Sequence, residues 1–183
     1  MKKIILTVAA VFAFGVANAQ DKKESAGGQT SKGKWLIEAN TGFGAIVGAN
    51  TSSGYSSQGD IKKMSIGAEG GYFIMDDLAI KVGIGYNSED NGVTDASGFA
   101  YKIGAKYYVM GNIPVQLDYT GASGDLYEAG NETPSYIGLQ AGYAIFLGEN
   151  VSIEPGLRYN ASMNDKYTED GQFQLQVGFA LHF

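Results

Sequence analysis

An all-β fold, an antiparallel up-and-down barrel of eight strands, is predicted by three features of the sequence. Apolar side chains recur at every second position in eight separate segments, which is the period of a half-buried strand. The connections between these segments alternate strictly between short and long. The composition combines 27 glycines and 12 tyrosines with only 3 prolines and no cysteine, which favours short strands joined by turns and excludes a disulfide framework.

The first 33 residues lie outside the predicted barrel. Lys2 and Lys3 precede an apolar run, and Ala17-Asn18-Ala19 supplies the small residues of a cleavage site, so residues 1–19 are predicted to be a secretory signal peptide. Residues 20–33 are polar and lack apolar periodicity, and we expect a flexible leader there. Removing residues 1–19 leaves 11 basic against 19 acidic residues, which argues against nucleic acid as a partner.

The barrel is expected to span residues 34–183. Its eight alternating segments have roughly the length of the tilted strands, about 9–11 residues, with which a β-barrel crosses a bilayer. In chain order they cover residues 35–43, 63–74, 78–86, 99–109, 115–121, 137–147, 151–159 and 172–183.

The connections divide into two classes. The short ones are residues 75–77, 110–114 and 148–150, and the long polar ones are residues 45–61, 87–98, 121–135 and 160–171. Strict alternation of this kind is typical of strands that cross a slab with a different solvent on each side. An even number of strands also places both termini on the side of the short turns.

The two faces of the strands differ in a way that favours an inward polar face. A soluble eight-stranded barrel also alternates, but it places its apolar side chains inside and crowds its water-facing side with polar groups. Here the polar face is dominated by glycine with a few charges of both signs, which suits the interior of a narrow barrel. The apolar face is therefore predicted to face lipid.

Aromatic residues on the apolar face occur at two levels, as at the two interfaces of a membrane. One belt lies near the short-turn ends and comprises Trp35, Tyr72, Tyr107, Tyr143 and Phe183. The other lies near the long-loop ends and comprises Tyr86, Phe99, Tyr101, Tyr119, Tyr159 and Phe173. Isoleucine, leucine, valine and alanine fill the band between them.

The chain resembles the small outer-membrane β-barrels of the OmpA-like/OmpX-like class (porin-like proteins of the Gram-negative cell envelope) over residues 34–183. The signal peptide, the eight strands and the closing sequence "VGFALHF" carry the resemblance. That ending is similar to the terminal aromatic signal read by the outer-membrane insertion machinery, with Phe183 in the recognised position. The resemblance implies a cell outer-membrane location with long extracellular loops, periplasmic termini and a periplasmic leader at 20–33.

Charged residues on the inward face are the most specific internal feature. They are Glu38, Lys63, Glu69, Lys81, Lys102, Lys106, Asp118, Glu154 and Arg158. All of these except Lys63 and Lys102 are assigned to a lumenal salt-bridge network that fills the middle of the barrel. The short hairpins predict Glu69 opposite Lys81 or one step diagonal from it, and Lys106 opposite Asp118. Such a network would either plug the lumen or gate it by exchanging partners.

No enzyme activity is expected. His182 is the only histidine, so no histidine pair can bind a metal, and neither a metal nor another cofactor is predicted. A Ser-His-acid arrangement would need a nearby serine, for which Ser152 is a candidate by depth alone. A satisfied interior histidine is the simpler interpretation, so no catalytic residue is assigned.

These observations predict a monomeric outer-membrane barrel with a structural or surface-interaction role. The leading alternative is a narrow channel or a carrier for small, including hydrophobic, solutes, and a lipid-modifying enzyme is a distant third. The expected partners are membrane lipid, lipopolysaccharide and the insertion machinery. The acidic long loops could hold divalent cations that bridge lipopolysaccharide phosphates, although solvated loops are the simpler interpretation.

Overall fold

The computed structural model describes residues 28–44, 50–128, 132–168 and 170–183. The chain forms ten strands and one short 3₁₀ turn. The strands are Trp35–Gly44 (β1), Gly54–Gln58 (β2), Ile61–Met75 (β3), Leu78–Asp90 (β4), Asp95–Val109 (β5), Ile113–Ser123 (β6), Ser135–Gly142 (β7), Ile145–Phe146 (β8), Val151–Ser162 (β9) and Gln172–His182 (β10). The signal peptide predicted at 1–19 lies outside the described residues.

The sheet closes on itself, which confirms the predicted fold class. Neighbouring strands of the sheet pair antiparallel, and β1 pairs with both β10 and β3. Trp35 and Phe183 exchange both backbone hydrogen bonds, at 2.6 and 3.0 Å, where the first and last strands meet. Ten strands make eight wall positions, because β2 is an additional strand on the edge of β3 and β8 continues β7.

The interruption between β7 and β8 has a local cause. β7 pairs with β9 as far as Gly142↔Gly156, and β8 resumes in the same register at Ile145↔Ile153. Pro155 lies opposite the gap, and proline cannot donate a hydrogen bond to the sheet. The predicted sixth segment, residues 137–147, is therefore one wall strand with a break in its ladder.

Side chains alternate around the wall as the sequence predicts, with apolar groups outside. On β10, Leu175, Phe179 and Leu181 are 40–59% exposed, whereas Gln174, Gln176 and His182 are buried. The same alternation runs along β4, where Ile84 is 73% exposed and Lys81 is 1% exposed. The oily face is the outer one.

Two of the predicted long loops are shorter than expected. β4 continues to Asp90 and β5 begins at Asp95. The loop predicted at 87–98 is therefore reduced to a turn at residues 91–94. The loop predicted at 45–61 contains β2 and Ile61, the first residue of β3. Hydrophobic alternation stops earlier than pairing does, because beyond an apolar slab both faces of a hairpin can meet water.

Residues 28–33 lie against the short-turn end of the barrel. Thr30 Oγ1 donates to Asp77 Oδ1 at 2.5 Å, and the backbone of Gly33 donates to Phe73 O at 2.8 Å. Gln29 also donates to the backbone of Gly148 in another short turn. In these six residues the chain is held by hydrogen bonds, which differs from the flexible leader expected for residues 20–33.

The 3₁₀ turn, Asp125–Tyr127, brings Tyr127 over the long-loop end of the lumen. The Tyr127 side chain is 3% exposed and packs with Ala100, Ala122 and Tyr136. No helix in the described part of the chain is long and apolar enough to cross a membrane.

Candidate functional site

The middle of the lumen holds eight buried charged side chains, which we call the ionic layer. It contains Glu38, Glu69, Asp118, Glu154, Lys81, Lys102, Lys106 and Arg158, each no more than 6% exposed. The seven residues that the sequence assigns to the network are all in this layer, and Lys102 is the eighth. Four acids and four bases balance within the described residues, as burial of charge requires.

Six of the eight charges form one continuous chain of ion pairs. Glu38 Oε2 accepts from Lys81 Nζ at 2.8 Å and from Lys106 Nζ at 2.6 Å. Lys81 reaches onward to Glu69 at 2.8 Å, and Glu69 also binds Lys102 at 2.5 Å. At the other end Lys106 pairs with Glu154. Lys81 is one step diagonal from Glu69, which is one of the two arrangements that the spacing predicts.

Arg158 and Asp118 form the remaining pair. The guanidinium donates to both carboxylate oxygens, at 2.7 and 2.6 Å, in the bidentate geometry that arginine favours. Gln116 joins this pair to the longer chain, because it accepts from Lys81 at 2.9 Å and donates to Asp118 at 2.8 Å. Gly138 lies where any side chain would collide with the guanidinium, so the wall leaves room for Arg158.

The predicted pairing of Lys106 with Asp118 is wrong. Lys106 lies opposite Gln116, and Asp118 lies opposite Gly104. The register differs by two residues because the β5–β6 turn is tighter than the sequence suggested, with Met110 and Gly111 both at positive φ (55° and 79°). Val109 consequently pairs with Ile113.

Lys63 lies on the same face of β3 as Glu69, as predicted, but beyond the buried ionic layer. It lies at the long-loop end, half-exposed, and pairs with Glu89 at 2.8 Å. Similar surface pairs join Lys62 to Asp90 at 3.6 Å and Lys166 to Glu132 at 3.0 Å. Two hydrogen bonds lower the pKa of the Glu132 carboxyl. The larger effect comes from the side-chain amide of Asn164 and the smaller one from Lys166. These exposed pairs contribute little to stability.

The short-turn end of the lumen is closed by an apolar cluster that we call the floor. Leu36, Phe73 and Tyr108 are fully buried there, and Phe146 packs against them. The ring of His182 lies 6.2 Å from that of Phe73 and 5.6 Å from that of Phe146. Large side chains at inward positions near the short turns are a sequence signal for this floor that charge-based reasoning missed.

Ser152 and His182 do meet, but in an arrangement unlike a catalytic triad. Ser152 Oγ lies 3.0 Å from His182 Nε2 and donates to Glu154 Oε1 at 2.9 Å. In a triad the carboxylate orients the histidine, whereas here it accepts a hydrogen bond from the serine hydroxyl. Ser152 and His182 are also fully buried at the level of the floor, so the geometry supports a structural role for them.

The long-loop end is closed by residues 50–53, which we call the plug. Asn50, Thr51 and Ser52 are 8%, 1% and 1% exposed, although the sequence places them in a solvated loop. Thr51 Oγ1 donates to Glu69 Oε1 at 2.8 Å, so the plug touches the ionic layer. Ser53 donates its backbone N–H to Asn40 O at 2.7 Å and bridges β1 and β3 above their last pair.

The lumen therefore has three closed levels in the described residues: plug, ionic layer and floor. A continuous water path through it would have to break ion pairs and displace packed aromatic rings. The described residues also contain no group of three or more His, Cys, Asp or Glu side chains that could hold a metal ion. A barrel with its lumen closed in this way can serve as an anchor, bind a partner at its mouth or resist unfolding.

The aromatic residues assigned to the two belts all belong to outward positions of the wall, and several pair across strands. At the short-turn level the rings of Trp35 and Tyr72 lie 5.0 Å apart. At the long-loop level the rings of Tyr86 and Phe99 lie 5.3 Å apart and those of Tyr159 and Phe173 lie 4.7 Å apart. Tyr101, Tyr107, Tyr119, Tyr143 and Phe183 complete the outward set.

Trp35 allows the depth of the lower belt to be measured, because it is the only tryptophan and is 55% exposed. In lipid vesicles we expect its fluorescence to be quenched more strongly by lipids brominated near the headgroup than by lipids brominated near the chain end, since aromatic belts lie at the interface. A Trp35→Phe/Val82→Trp variant should show the reverse order. Equal quenching of both variants would contradict the belt.

An eight-stranded antiparallel barrel with an apolar outer wall and ion pairs inside is a small β-barrel of the outer-membrane type. No family model matches the chain, and no curated protein matches it significantly. Among solved structures it is similar to the N-terminal β-barrel domain of Pseudomonas aeruginosa OprF (15% identity, 83% of this chain and 98% of that chain, TM-score 0.48).

It is likewise similar to the outer membrane protein OprG from Pseudomonas aeruginosa (14% identity, 85% of this chain and 99% of that chain, TM-score 0.48). A third similar structure is the Yersinia pestis outer membrane protein Ail in a phospholipid bilayer nanodisc (12% identity, 83% and 100% coverage, TM-score 0.46). At such low identities and TM-scores these likenesses assign no function to this chain.

Proposed function

We propose that this chain is an integral outer-membrane barrel with a structural or surface-interaction role and no catalytic site. The observation that carries the proposal is the combination of an apolar outer wall with a lumen closed at both ends. An apolar wall of this kind belongs in hydrocarbon, because large exposed apolar surfaces are rare on monomeric soluble proteins. A filled lumen leaves the surface and the loops as the parts that meet partners.

The orientation follows from the two ends of the barrel. The short turns and both termini face the periplasm, and the long connections face the exterior, as in other barrels of this architecture. Lipid and lipopolysaccharide surround the wall of a monomer. Phe183, which is 56% exposed beside Trp35, serves as the terminal residue read by the insertion machinery. The acidic surplus disfavours nucleic acid.

Fractionation and electrophoresis test the membrane assignment together. The protein should sediment with outer membranes and resist extraction by urea. The unheated protein in detergent should migrate faster than the boiled protein, because a closed barrel stays compact until it unfolds. Recovery in the soluble fraction without detergent, or identical migration before and after boiling, would contradict the proposal.

Conductance separates the structural role from a narrow channel or carrier. In planar bilayers the purified barrel should give no steady current, because the ionic layer and the floor both block the lumen. Stable single-channel steps would favour the channel. Incubating the purified barrel with lipopolysaccharide and then analysing the acyl chains tests the lipid-modifying alternative. We expect the acyl chains to be unchanged.

A further inference from the structure

The two closures of the lumen are built from different chemistry. The floor is held by apolar and aromatic packing among Leu36, Phe73, Tyr108 and Phe146. The plug consists of asparagine, threonine and two serines and is held by hydrogen bonds, while the small apolar cluster around Tyr127 lies at the same end of the lumen. When the plug leaves, water can replace its hydrogen bonds, so the net cost in free energy is modest. Exposing packed aromatic rings to water has no such compensation. Of the two closures, the plug is therefore the one that can be displaced.

The wall provides a seat shaped for the plug. A side chain on Gly67 would collide with the backbone of Thr51, and one on Gly85 would collide with the backbone of Asn50. Asn87 on the neighbouring position of β4 donates to Asn50 O at 3.0 Å. Two glycines on facing positions of β3 and β4 thus allow the plug backbone to approach the sheet closely.

Across the lumen the plug is held more weakly. Gln176 on β10 donates to Ser52 Oγ at 3.3 Å. The side-chain oxygens of Gln176, Asn87 and Asn40 are buried and have no hydrogen-bond partner within the described residues. These acceptors lie around the plug, so its departure would expose a polar wall above Glu69.

We propose that residues 50–53 are a displaceable plug over a blind polar cup, which opens at the long-loop end while the floor stays closed. The proposal depends on the proposed membrane orientation in one respect only, because that orientation decides which solvent the cup faces. A blind cup can bind at the surface without conducting. Thr51 links the position of the plug to Glu69, and through Lys81 to the rest of the ionic layer.

Cysteine labelling tests the plug, because the chain has no native cysteine. A charged thiol reagent is applied to the folded barrel carrying Ser52→Cys in the plug, Ser57→Cys on exposed β2 or Ser152→Cys at the floor. Because labelling of a buried thiol follows the population of its open form, Ser52→Cys should react more slowly than Ser57→Cys and faster than Ser152→Cys.

Unseating the plug should raise the labelling rate of Ser52→Cys alone. Adding Gly67→Ala to Ser52→Cys should accelerate labelling roughly tenfold or more, because overpacking against Thr51 favours the open form. Gly70→Ala is the matched control, since a side chain at Gly70 would meet no atom within 4 Å and labelling should not change. Adding Gly67→Ala to Ser152→Cys should also leave its rate unchanged.

Thr51→Val supplies a second variant if Gly67→Ala does not fold. It keeps the shape of the side chain but removes the hydrogen bond to Glu69, and labelling of Ser52→Cys should again rise roughly tenfold. The plug is fixed, and the proposal fails, if Ser52→Cys reacts as slowly as Ser152→Cys in every background. It also fails if the two sites accelerate together. Heat-modifiable migration in the same samples shows whether the barrel itself is intact.

Discussion

Replacing Lys106 with methionine is expected to lower the free energy of unfolding by about 3–5 kcal/mol, because a buried carboxylate loses its counter-charge. The Lys106 side chain is fully buried and pairs with Glu38 at 2.6 Å and with Glu154. Glu38 keeps Lys81, but Glu154 has no other ion-pair partner among the described residues. Urea unfolding in lipid vesicles measures the loss.

Lys166→Met is the matched control for this variant. Lys166 makes an ion pair of 3.0 Å with Glu132, but its side chain is 79% exposed, so the loss should be below about 1 kcal/mol. Adding Glu154→Gln to Lys106→Met should recover part of the lost stability, because it removes the orphaned charge. Equal losses for Lys106→Met and Lys166→Met would show that the ionic layer is not a stabilising network.

Val82→Lys is expected to destabilise the barrel by about 2–4 kcal/mol, the cost of a lysine at the middle of a bilayer. Val82 is 57% exposed and lies on the outer face of β4, midway between Tyr86 and Leu78. In a water-soluble barrel, the same exposed substitution would change stability by only about 0.5 kcal/mol. The effect therefore reports which solvent surrounds the wall.

Val93→Lys provides the comparison at the same strand pair. Val93 is 90% exposed in the turn between β4 and β5, beyond the aromatic belt, and its substitution should be nearly neutral. Vesicle unfolding of the two variants side by side gives the difference directly. Two small and equal effects would place water around the barrel and overturn the membrane assignment.

Local alternation is the part of this fold that sequence reasoning captured. The period of two along "QFQLQVGFALHF" places Leu175 outside and Gln176 inside whatever the rest of the chain does, because successive side chains point to opposite faces of a strand. Burial of Glu38, Lys81 and Arg158 follows from the same rule. The floor could also have been predicted, since Leu36 and Phe73 occupy inward positions beside short turns.

Partner choice inside the lumen could not be predicted in this way. A shift of two residues keeps every side chain on its face, so alternation alone cannot separate Lys106 opposite Asp118 from Lys106 opposite Gln116. The tight turn at Met110 and Gly111 fixed the register, and closure of the barrel then brought Glu38 on β1 to Lys106 on β5.

The sequence by itself determined which face of each strand is apolar, at which levels the outward aromatic residues lie and how many strands form the wall. The tertiary structure alone decided that Asn50, Thr51 and Ser52 turn into the mouth of the barrel. Their polarity is equally compatible with a solvated loop. The space that holds them is provided by the glycine seat on β3 and β4. This seat is distant in the chain and forms only when the two strands pair.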